Sequence, residues 1–298
     1  MATDIQIRAG RRNVRISNPG KVLFPDDGIT KADLAEYYAA VAPAMVPHTR
    51  DRPMNLWRWN TGIDDPVVVQ QAIPKGAPEW VRRVEVSRRR GGSVQHVVGG
   101  EPATLVWLAN QNCITPHVWT SRADRPDHPD RLVFDFDPPD ADDGHFPAIR
   151  AGALVCGDIL REQGLEPFVM TSGSRGLHVV APLRRRHDSD RVRAVAGELA
   201  EEVAARRADE LTTAWRKAGR GGRVLVDAAR NTYAQTAVAP YAVRAKPGAP
   251  VATPLSWDEL EDPELHPRRW TLATVPGRLE ARGDPWEGIS SSAAPLPA

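Results

Sequence analysis

The stretch LVFDFDPP, residues 132–139, decides the fold of the second half of the chain. Successive side chains of a strand point to opposite faces, so the two phenylalanines face one way while Asp135 and Asp137 face the other. Pro138 and Pro139 stop the strand directly after the second carboxylate. Functional sites of α/β proteins often lie at such strand ends. The stretch therefore predicts a strand that carries two carboxylates on one face at its end.

The spacing of these two carboxylates points to a bound cation. Like charges about 7 Å apart on one strand face repel each other unless a cation lies between them. Carboxylate oxygens are hard ligands that suit Mg²⁺ or Mn²⁺. The alternative is a strand that runs into an acidic surface loop, since Asp140, Asp142 and Asp143 follow. The pattern alone leaves both interpretations open.

A second motif, TSGSRGLH at residues 171–178, lies between two apolar β-like runs. Its small residues permit close backbone approach, its amides and hydroxyls can meet phosphate oxygens, and Arg175 supplies a forked cation. The motif is typical of a triphosphate cradle in which Ser172 and Arg175 take part. The alternative is an ordinary glycine-rich hairpin with an exposed arginine. His178 is either a ligand or a core imidazole with satisfied hydrogen bonds.

A third carboxylate, Asp227, ends the apolar run VLVD at residues 224–227. Alone it is typical of a strand cap. Together with the earlier pair it would complete a triad able to hold two divalent ions for in-line attack on phosphorus. Four arginines near it in sequence could neutralise a polyphosphate or a nucleic-acid backbone: Arg220, Arg223, Arg230 and Arg244. For Arg220 and Arg223 the alternative is a solvated basic turn.

The length of 298 residues allows one large domain or two intimate ones. The spacing of apolar residues and the Thr30 cap predict a first helix over 30–46. Short β-like runs predict a β-rich lobe over 53–98, and the order of elements predicts an α/β (α+β) protein. We place a lobe boundary near residue 125, which gives lobes 1–125 and 126–290 and a disordered tail at 291–298.

The composition excludes several classes of protein. Lys plus Arg (39) nearly balance Asp plus Glu (38), so no global positive field indicates a nucleic-acid or membrane partner, and any such binding must use local patches. Cys113 and Cys156 lack the spacing of a zinc ribbon or a disulfide framework. We find no apolar run of about 18 residues and no signal peptide, so a cytoplasmic protein without a membrane partner is expected.

Six segments occur in an order that resembles the polymerase domain of bacterial ligase D, within the archaeo-eukaryotic primase superfamily. They are NPGKVLFP (18–25), KGAPEWV (75–81), DFDPP (135–139), TSGSRGLHVVAPL (171–183), VDAARN (226–231) and TAVAPYAVRAKPGAPVATPLSWDEL (236–260). The resemblance covers about residues 13–270 and includes no ligase or nuclease module, so a stand-alone member is expected. It implies a central mixed or antiparallel sheet with an RRM-like catalytic half and a smaller β-rich N-terminal lobe.

The resemblance also implies an activity, namely template-directed nucleotidyl transfer of the primase-polymerase type with two Mn²⁺ or Mg²⁺ ions. Nucleoside triphosphates, with ribonucleotides preferred, would be added at gaps or ends of DNA during non-homologous end joining. Ku and a DNA ligase are the implied partners, and a monomer associated with the nucleoid is expected. Two alternatives are a non-catalytic module that binds DNA ends and a DxD nucleotide-sugar transferase.

Individual roles follow from the same resemblance. The implied metal ligands are Asp135, Asp137 and Asp227. The implied nucleotide-binding residues are Ser172, Arg175, His117, Arg244, Arg220 and His178. The implied contacts to a downstream DNA 5′-phosphate are Asn18, Lys21 and Lys31. Arg175 departs from the family pattern, because many members have lysine at this position.

A larger departure lies at residues 67–71, where this chain has VVVQQ and the family commonly has a pair of aromatic residues. Those aromatics stack on bases near the templating position, and stacking contributes about 1–3 kcal/mol per base. The prediction is a weaker grip on the template. Trp57 and Trp59 lie nearby and either replace the missing platform or pack the β-rich lobe.

Overall fold

The computed structural model describes residues 3–298, so Met1 and Ala2 of the predicted first lobe lie outside the described residues. The α-helices are α1 (Lys31–Thr49), α2 (Pro102–Asn110), α3 (Phe146–Glu162), α4 (Ser189–Arg206) and α5 (Val275–Arg282). Over this part of the chain, no helix is both long and apolar enough to cross a bilayer.

The described residues also contain sixteen β-strands. They are β1 (Ile5–Ala9), β2 (Arg12–Ile16), β3 (Val22–Phe24), β4 (Ile29–Thr30), β5 (Pro53–Arg58), β6 (Val68–Gln70), β7 (Arg83–Ser87), β8 (Ser93–Val98), β9 (Cys113–Trp119), β10 (Arg131–Asp137), β11 (Phe168–Thr171), β12 (Leu177–Pro182), β13 (Leu211–Thr212), β14 (Val224–Asp227), β15 (Thr236–Val238) and β16 (Pro254–Leu255).

Helix α1 begins where the sequence predicts it, at the Thr30 cap. The Thr30 hydroxyl accepts a hydrogen bond from Asp33 N, and the Asp33 carboxylate accepts one from Thr30 N at 2.7 Å. This reciprocal capping box satisfies backbone donors that the first helical turn leaves free. The helix ends at Thr49, three residues beyond the predicted end. Its buried face packs the first hydrophobic core together with α2.

The first large sheet has the strand order β15-β9-β5-β8-β7, with β6 paired to β5. Four of its strands fall within residues 53–98, which confirms the predicted β-rich region. Strand β15 comes from the second half of the chain, and its Val238 pairs with His117 on β9. Because β15 covers the otherwise open edge of β9, the predicted boundary near residue 125 does not separate the two sheets.

The second large sheet has the order β13-β14-β10-β12-β11-β16 and contains one parallel pair, β13–β14, among otherwise antiparallel pairs. This mixed sheet confirms the predicted α+β fold. Phe134 and Phe136 on β10 lie in the core formed with α3 and α4, whereas Val133 packs into the core of the first lobe. The alternation predicted for residues 132–137 therefore holds, and Asp135 faces the region between the two cores.

The C-terminal segment differs from the prediction of a disordered tail at 291–298. Ala294 pairs with Leu183 beyond the end of β12, accepting a hydrogen bond from Arg184 N at 2.8 Å. Leu296 is buried in the second core. The prediction was wrong because small residues and prolines are typical of frayed ends, while the backbone groups of Leu183 and Arg184 offer an edge for pairing.

Candidate active site

Three carboxylates meet at the ends of β10 and β14. Asp135 lies directly opposite Asp227 in the antiparallel pair, and Asp137 lies two residues further along β10 on the same face. One carboxylate oxygen from each residue lies within 4.8 Å of those of the other two. The structure therefore brings together the three residues that the sequence suggested as a triad. Hard oxygen donors this close to one another fit a divalent cation.

The side chains around the triad do not fully neutralise its three carboxylates, as the pKa shifts show. The Asp135 carboxylate, together with burial, raises the pKa of Asp137 to about 6. Burial, with a smaller contribution from Asp135, raises the pKa of Asp227. Burial would also raise the pKa of Asp135, but the His178 and Arg230 side chains outweigh it and hold that pKa well below its usual range. A bound cation would favour the ionised form of all three groups.

Arg230 supplies part of the missing positive charge. Its Nη2 lies 3.2 Å from Asp135 Oδ2, and its Nε lies 3.7 Å from Asp227 Oδ2. From the sequence, Arg230 was one of four arginines expected to neutralise a polyphosphate or a nucleic-acid backbone, and its contact with the carboxylates was not predicted. The available signal was its position three residues after Asp227, where a short 3₁₀ turn folds the chain back towards β10. A guanidinium that bridges two of the carboxylates shows where they attract a cation.

His178 contacts the triad from the neighbouring strand β12. It lies opposite Asp135 in the register, and its Nε2 is 3.2 Å from Asp135 Oδ1. The sequence left open whether this residue is a ligand or a core imidazole. The structure places it in the wall of the site, buried and bonded to a carboxylate. From this position it can orient Asp135 towards a metal ion.

A cavity of about 190 Å³ opens beside the carboxylates. The predicted nucleotide-binding residues that line it are Ser172, Arg175, His117, His178 and Arg244. Arg244 Nη1 donates a hydrogen bond to Ser172 O at 3.0 Å, which fixes the guanidinium against the loop after β11. Anionic carboxylates thus form one wall, and cationic and hydrogen-bonding groups form another. This arrangement can hold a polyphosphate next to a metal ion.

The Ser172 loop is shaped by close backbone approaches. Ser172 Oγ accepts hydrogen bonds from Ser174 N at 3.3 Å and from Gly176 N at 3.1 Å. A Cβ atom at Gly176 would lie 1.9 Å from Phe136 O. Gly173 has a φ of +63° and would clash with Ala252 N in the same way. Gly176 is therefore required because the loop passes directly over strand β10, and Gly173 because of its positive φ and the close approach of the Val251–Ala252 backbone.

His117 carries an unused polar atom in the cavity wall. Its ring stacks on Trp57 with centroids 4.4 Å apart and planes 1° apart. Its Nε2 is buried and has no hydrogen-bond partner within the described part of the chain. Burial and the nearby Arg244 lower the pKa of His117 well below its usual range, so the ring is neutral at pH 7. A buried ring nitrogen without a partner is expected to bind a ligand or a water molecule.

Of the two remaining residues predicted to bind the nucleotide, only one lies at the cavity. Arg175 lines the cavity, and its Nη1 donates to Asp140 O at 3.1 Å. Arg220 does not line it, because its Nη2 donates to Trp215 O at 3.1 Å and its side chain is largely buried there. Sequence proximity to Asp227 grouped Arg220 with the site, but the turn before β14 directs its side chain elsewhere.

The predicted 5′-phosphate residues come together outside this cavity. Lys21 N donates to Asn18 O at 3.0 Å, and Lys31 N donates to Lys21 O at 2.8 Å. The Lys31 ammonium group donates to Ser17 O at 2.7 Å, and the Lys21 ammonium group donates to Asn60 O. Burial, followed by repulsion from Lys21, lowers the pKa of Lys31. An anion placed between the two lysines would relieve this repulsion.

The two tryptophans that the sequence left undecided have different environments. Trp59 is buried in the first core, whereas Trp57 lines the cavity and stacks on His117. No local pattern predicted this stack, because the two residues lie on different strands. Val68 and Val69, which replace the usual aromatic pair, are 44% and 50% exposed on β6. Val69 pairs with Trp57, so a base lying over this edge would meet valine rather than an aromatic ring.

Comparison with known proteins gives one consistent result. The family model described as "LigD, primase-polymerase domain" matches residues 30–286. The LigD non-homologous end joining DNA repair protein of Mycobacterium tuberculosis is 32% identical over 293 residues, which are 96% of this chain and 38% of that protein. LigD of Pseudomonas aeruginosa is 30% identical over 283 residues, which are 94% of this chain and 33% of that protein.

A solved structure matches the fold as well as the sequence. The polymerase domain from Mycobacterium tuberculosis ligase D in complex with DNA superposes with a TM-score of 0.86 and 32% identity. The match covers 94% of this chain and 99% of that domain. This chain spans less than half the length of the curated relatives it matches. On this evidence from sequence and fold, the chain belongs to the LigD primase-polymerase domain family.

Proposed function

We propose that this protein is a metal-dependent nucleotidyltransferase that adds nucleotides to DNA at gaps or ends during non-homologous end joining. The observation that carries the proposal is the cavity in which Asp135 and Asp137, two of the three clustered carboxylates, lie together with Arg244, His117 and the Ser172 loop. Polymerases need both parts, because attack on a nucleoside triphosphate requires charge neutralisation and alignment of the reacting groups. Membership of the LigD family supports the same activity.

Each side chain has a defined task in this proposal. The triad would hold Mn²⁺ or Mg²⁺ in a two-ion site, where the metal would neutralise phosphate charge and align the attacking hydroxyl. Arg244 would bind phosphate oxygens through the donors it does not spend on Ser172 O. The neutral His117 would contribute its free ring nitrogen to the same triphosphate, and its stack on Trp57 keeps the ring in place.

The proposal extends to the sugar of the incoming nucleotide. Ser172 Oγ already accepts two backbone amides, so its own hydroxyl hydrogen is free to bond to another oxygen. We place the ribose 2′-hydroxyl there. A polar partner left unpaired in a closed site costs about 1–3 kcal/mol, which favours ribonucleotides over deoxynucleotides about tenfold or more. Competition between the two sugars in single-turnover extension measures this ratio.

The remaining parts of the proposal concern partners and location. Asn18, Lys21 and Lys31 would bind the 5′-phosphate of the downstream strand, which places the enzyme at gaps. The Mycobacterium tuberculosis domain, which shares this fold, is solved with DNA. We include Ku and a DNA ligase as partners in end joining, with a monomer acting near the nucleoid in the cytoplasm.

The decisive experiment compares Asp137→Asn with Asp158→Asn. Asp158 lies on the exposed face of α3, pairs only with Arg161 and stands outside the triad, so its replacement makes the same chemical change at a neutral position. Both variants and the wild type are given a gapped duplex with a 5′-phosphate, Mn²⁺ or Mg²⁺ and labelled nucleotides. We expect Asp137→Asn to lose extension while it retains DNA binding, and Asp158→Asn to match the wild type.

The same experiment distinguishes the alternative functions. Binding of the gapped duplex without extension by the wild type would favour a non-catalytic end-binding module. Full extension by Asp137→Asn would refute the role of the triad. The nucleotide-sugar transferase suggested by the DxD pattern alone has no support from the family match.

A further inference from the structure

A second cavity, of about 380 Å³, lies at the beginning of strand β10. The carboxylate triad lies near the other end of this strand. Asp135 is four residues after Arg131, which corresponds to about 13 Å along the strand. The charged residues that line the second cavity are Arg52, Arg122, Asp130, Arg131, Arg184 and Arg185. Five guanidinium groups therefore surround a single carboxylate.

Two of the arginines already form ion pairs with that carboxylate. Asp130 Oδ1 lies 2.7 Å from Arg52 Nη1, and Asp130 Oδ2 lies 2.7 Å from Arg122 Nε. Both oxygens thus have a cationic neighbour, and both arginines have a counter-ion. The other three arginines of the cavity form no close ion pair with Asp130 in the described residues.

Arg131 is the most unusual of the three. Its side chain is 7% exposed, its Nη2 donates to His48 O at 3.1 Å, and no carboxylate oxygen lies within 4.0 Å of it in residues 3–298. Burial and the neighbouring Arg52 lower its pKa to about 9, so the guanidinium is still charged at pH 7. Burial of this cation is costly; Asp130 offsets part of the cost without a close ion pair, and an anion bound in the cavity would offset more.

The two remaining arginines also have donors to spare. Arg184 is exposed at the mouth of the cavity, where its Nε donates to Ala293 O at 3.3 Å. Arg185 Nη2 donates to Asp124 at 2.8 Å, while its Nε is buried without a partner among the described residues. The cavity therefore combines a positive net charge with an unpartnered N–H group, that of Arg185 Nε, in its wall.

We propose that this cavity is a second anion-binding site that takes a phosphate group, distinct from the triphosphate cavity beside the triad. The planar, forked donors of arginine match the oxygens of phosphate. The volume lies in the range of small-ligand sites and exceeds the needs of one phosphate ion, and Leu183 and Ile289 add apolar surface. The phosphate can come from a small anion in solution or from a nucleic-acid strand.

The test pairs Arg184→Gln with Arg186→Gln. Both residues are exposed and lie two positions apart in sequence, but only Arg184 lines the cavity. Binding of pyrophosphate is measured by calorimetry in the presence of a chelator, so that no metal holds it at the triad. Arg244→Gln is included to remove binding in the triphosphate cavity. We expect Arg184→Gln to weaken the remaining binding about tenfold, while Arg186→Gln leaves it unchanged.

Arg131→Gln provides a second variant inside the cavity, and its folding is checked by thermal unfolding. Loss of pyrophosphate binding in this variant, with folding retained, supports the site. Equal affinities for the wild type, Arg184→Gln and Arg186→Gln would overturn the proposal, as would the absence of any binding in the Arg244→Gln background. These readouts measure binding alone and do not depend on polymerase activity.

A second arm identifies the source of the phosphate. The affinity for gapped DNA is measured over a range of salt concentrations for both exposed variants. If a DNA strand occupies the cavity, Arg184→Gln lowers the salt slope by about 1 relative to Arg186→Gln, since one phosphate contact is lost. If the slopes agree while pyrophosphate binding differs, the ligand is a small phosphate compound.

Discussion

Replacement of Gly176 by alanine tests the close passage of the Ser172 loop over strand β10. The new methyl carbon would lie 1.9 Å from Phe136 O and 3.1 Å from Phe136 C. Ordinary contact between non-bonded atoms begins at about 3.5 Å, so the loop and the strand would have to separate by roughly 1.5 Å. The Cβ position is fixed by the loop backbone and its partner is a backbone carbonyl, so rotation of a side chain cannot relieve the clash.

The expected cost follows from what this separation disturbs. Overpacking of a rigid site costs about 1–3 kcal/mol and sometimes more, and we expect about 3 kcal/mol here because backbone meets backbone. Phe136 lies between Asp135 and Asp137, so its displacement also moves the carboxylates. A misplacement of about 1 Å can cost about a hundredfold in rate, and we expect a loss of that size in nucleotide addition.

Gly197 provides the matched control for this substitution. It lies inside helix α4, where a Cβ atom would meet nothing within 4 Å. Gly197→Ala should raise the free energy of unfolding by about 0.5–1 kcal/mol, because alanine loses less backbone entropy in a helix. Urea unfolding and single-turnover extension are measured for both variants. If Gly176→Ala unfolds within about 0.5 kcal/mol of the wild type and extends DNA normally, the close approach is refuted.

Three further predictions concern binding, fidelity and pH. Lys21→Gln should reduce the preference for 5′-phosphorylated over hydroxyl-ended gaps, as affinity measurements on both duplexes will show; an unchanged preference would contradict the proposed patch. Replacing Val68 and Val69 together by phenylalanine should improve extension on open templates through base stacking, and no gain would mean that Trp57 already suffices. Burial lowers the pKa values of His48 and His117, so the unfolded chain binds more protons below about pH 6.5 and the free energy of unfolding decreases there as the pH is lowered. His48→Gln should make this dependence shallower by up to about 1.4 kcal/mol per pH unit in urea unfolding, and an identical slope would contradict it.

Local patterns were sufficient to predict the elements and part of the site. The alternation of residues 132–137 predicted which face of β10 carries the carboxylates, because strand geometry fixes it within a few residues. The Thr30 cap predicted the start of α1 for the same reason. The Ser172 loop was predicted as a phosphate-binding segment from small residues that lie next to one another in sequence.

The remaining features depend on contacts between distant parts of the chain. Trp57 and His117 stack from different strands, and their positions follow from the register of β5 against β9 rather than from any local pattern. Arg220 and Arg230 both lie within seven residues of Asp227 in sequence, yet only Arg230 is turned towards the triad. The pairing of Ala294 beyond β12 depends equally on an edge that lies more than a hundred residues earlier.

Because β15 from the second half of the chain completes the first sheet, the first half lacks one strand of its own sheet, and neither half contains the whole cavity. His117 reaches the cavity from β9 and Asp135 reaches it from β10, while Arg244 lies six residues after the end of β15. Cutting the protein near residue 125 would leave β9 with a bare edge and would divide the cavity between two fragments. Activity should therefore return only when both fragments are present and reassemble along that edge.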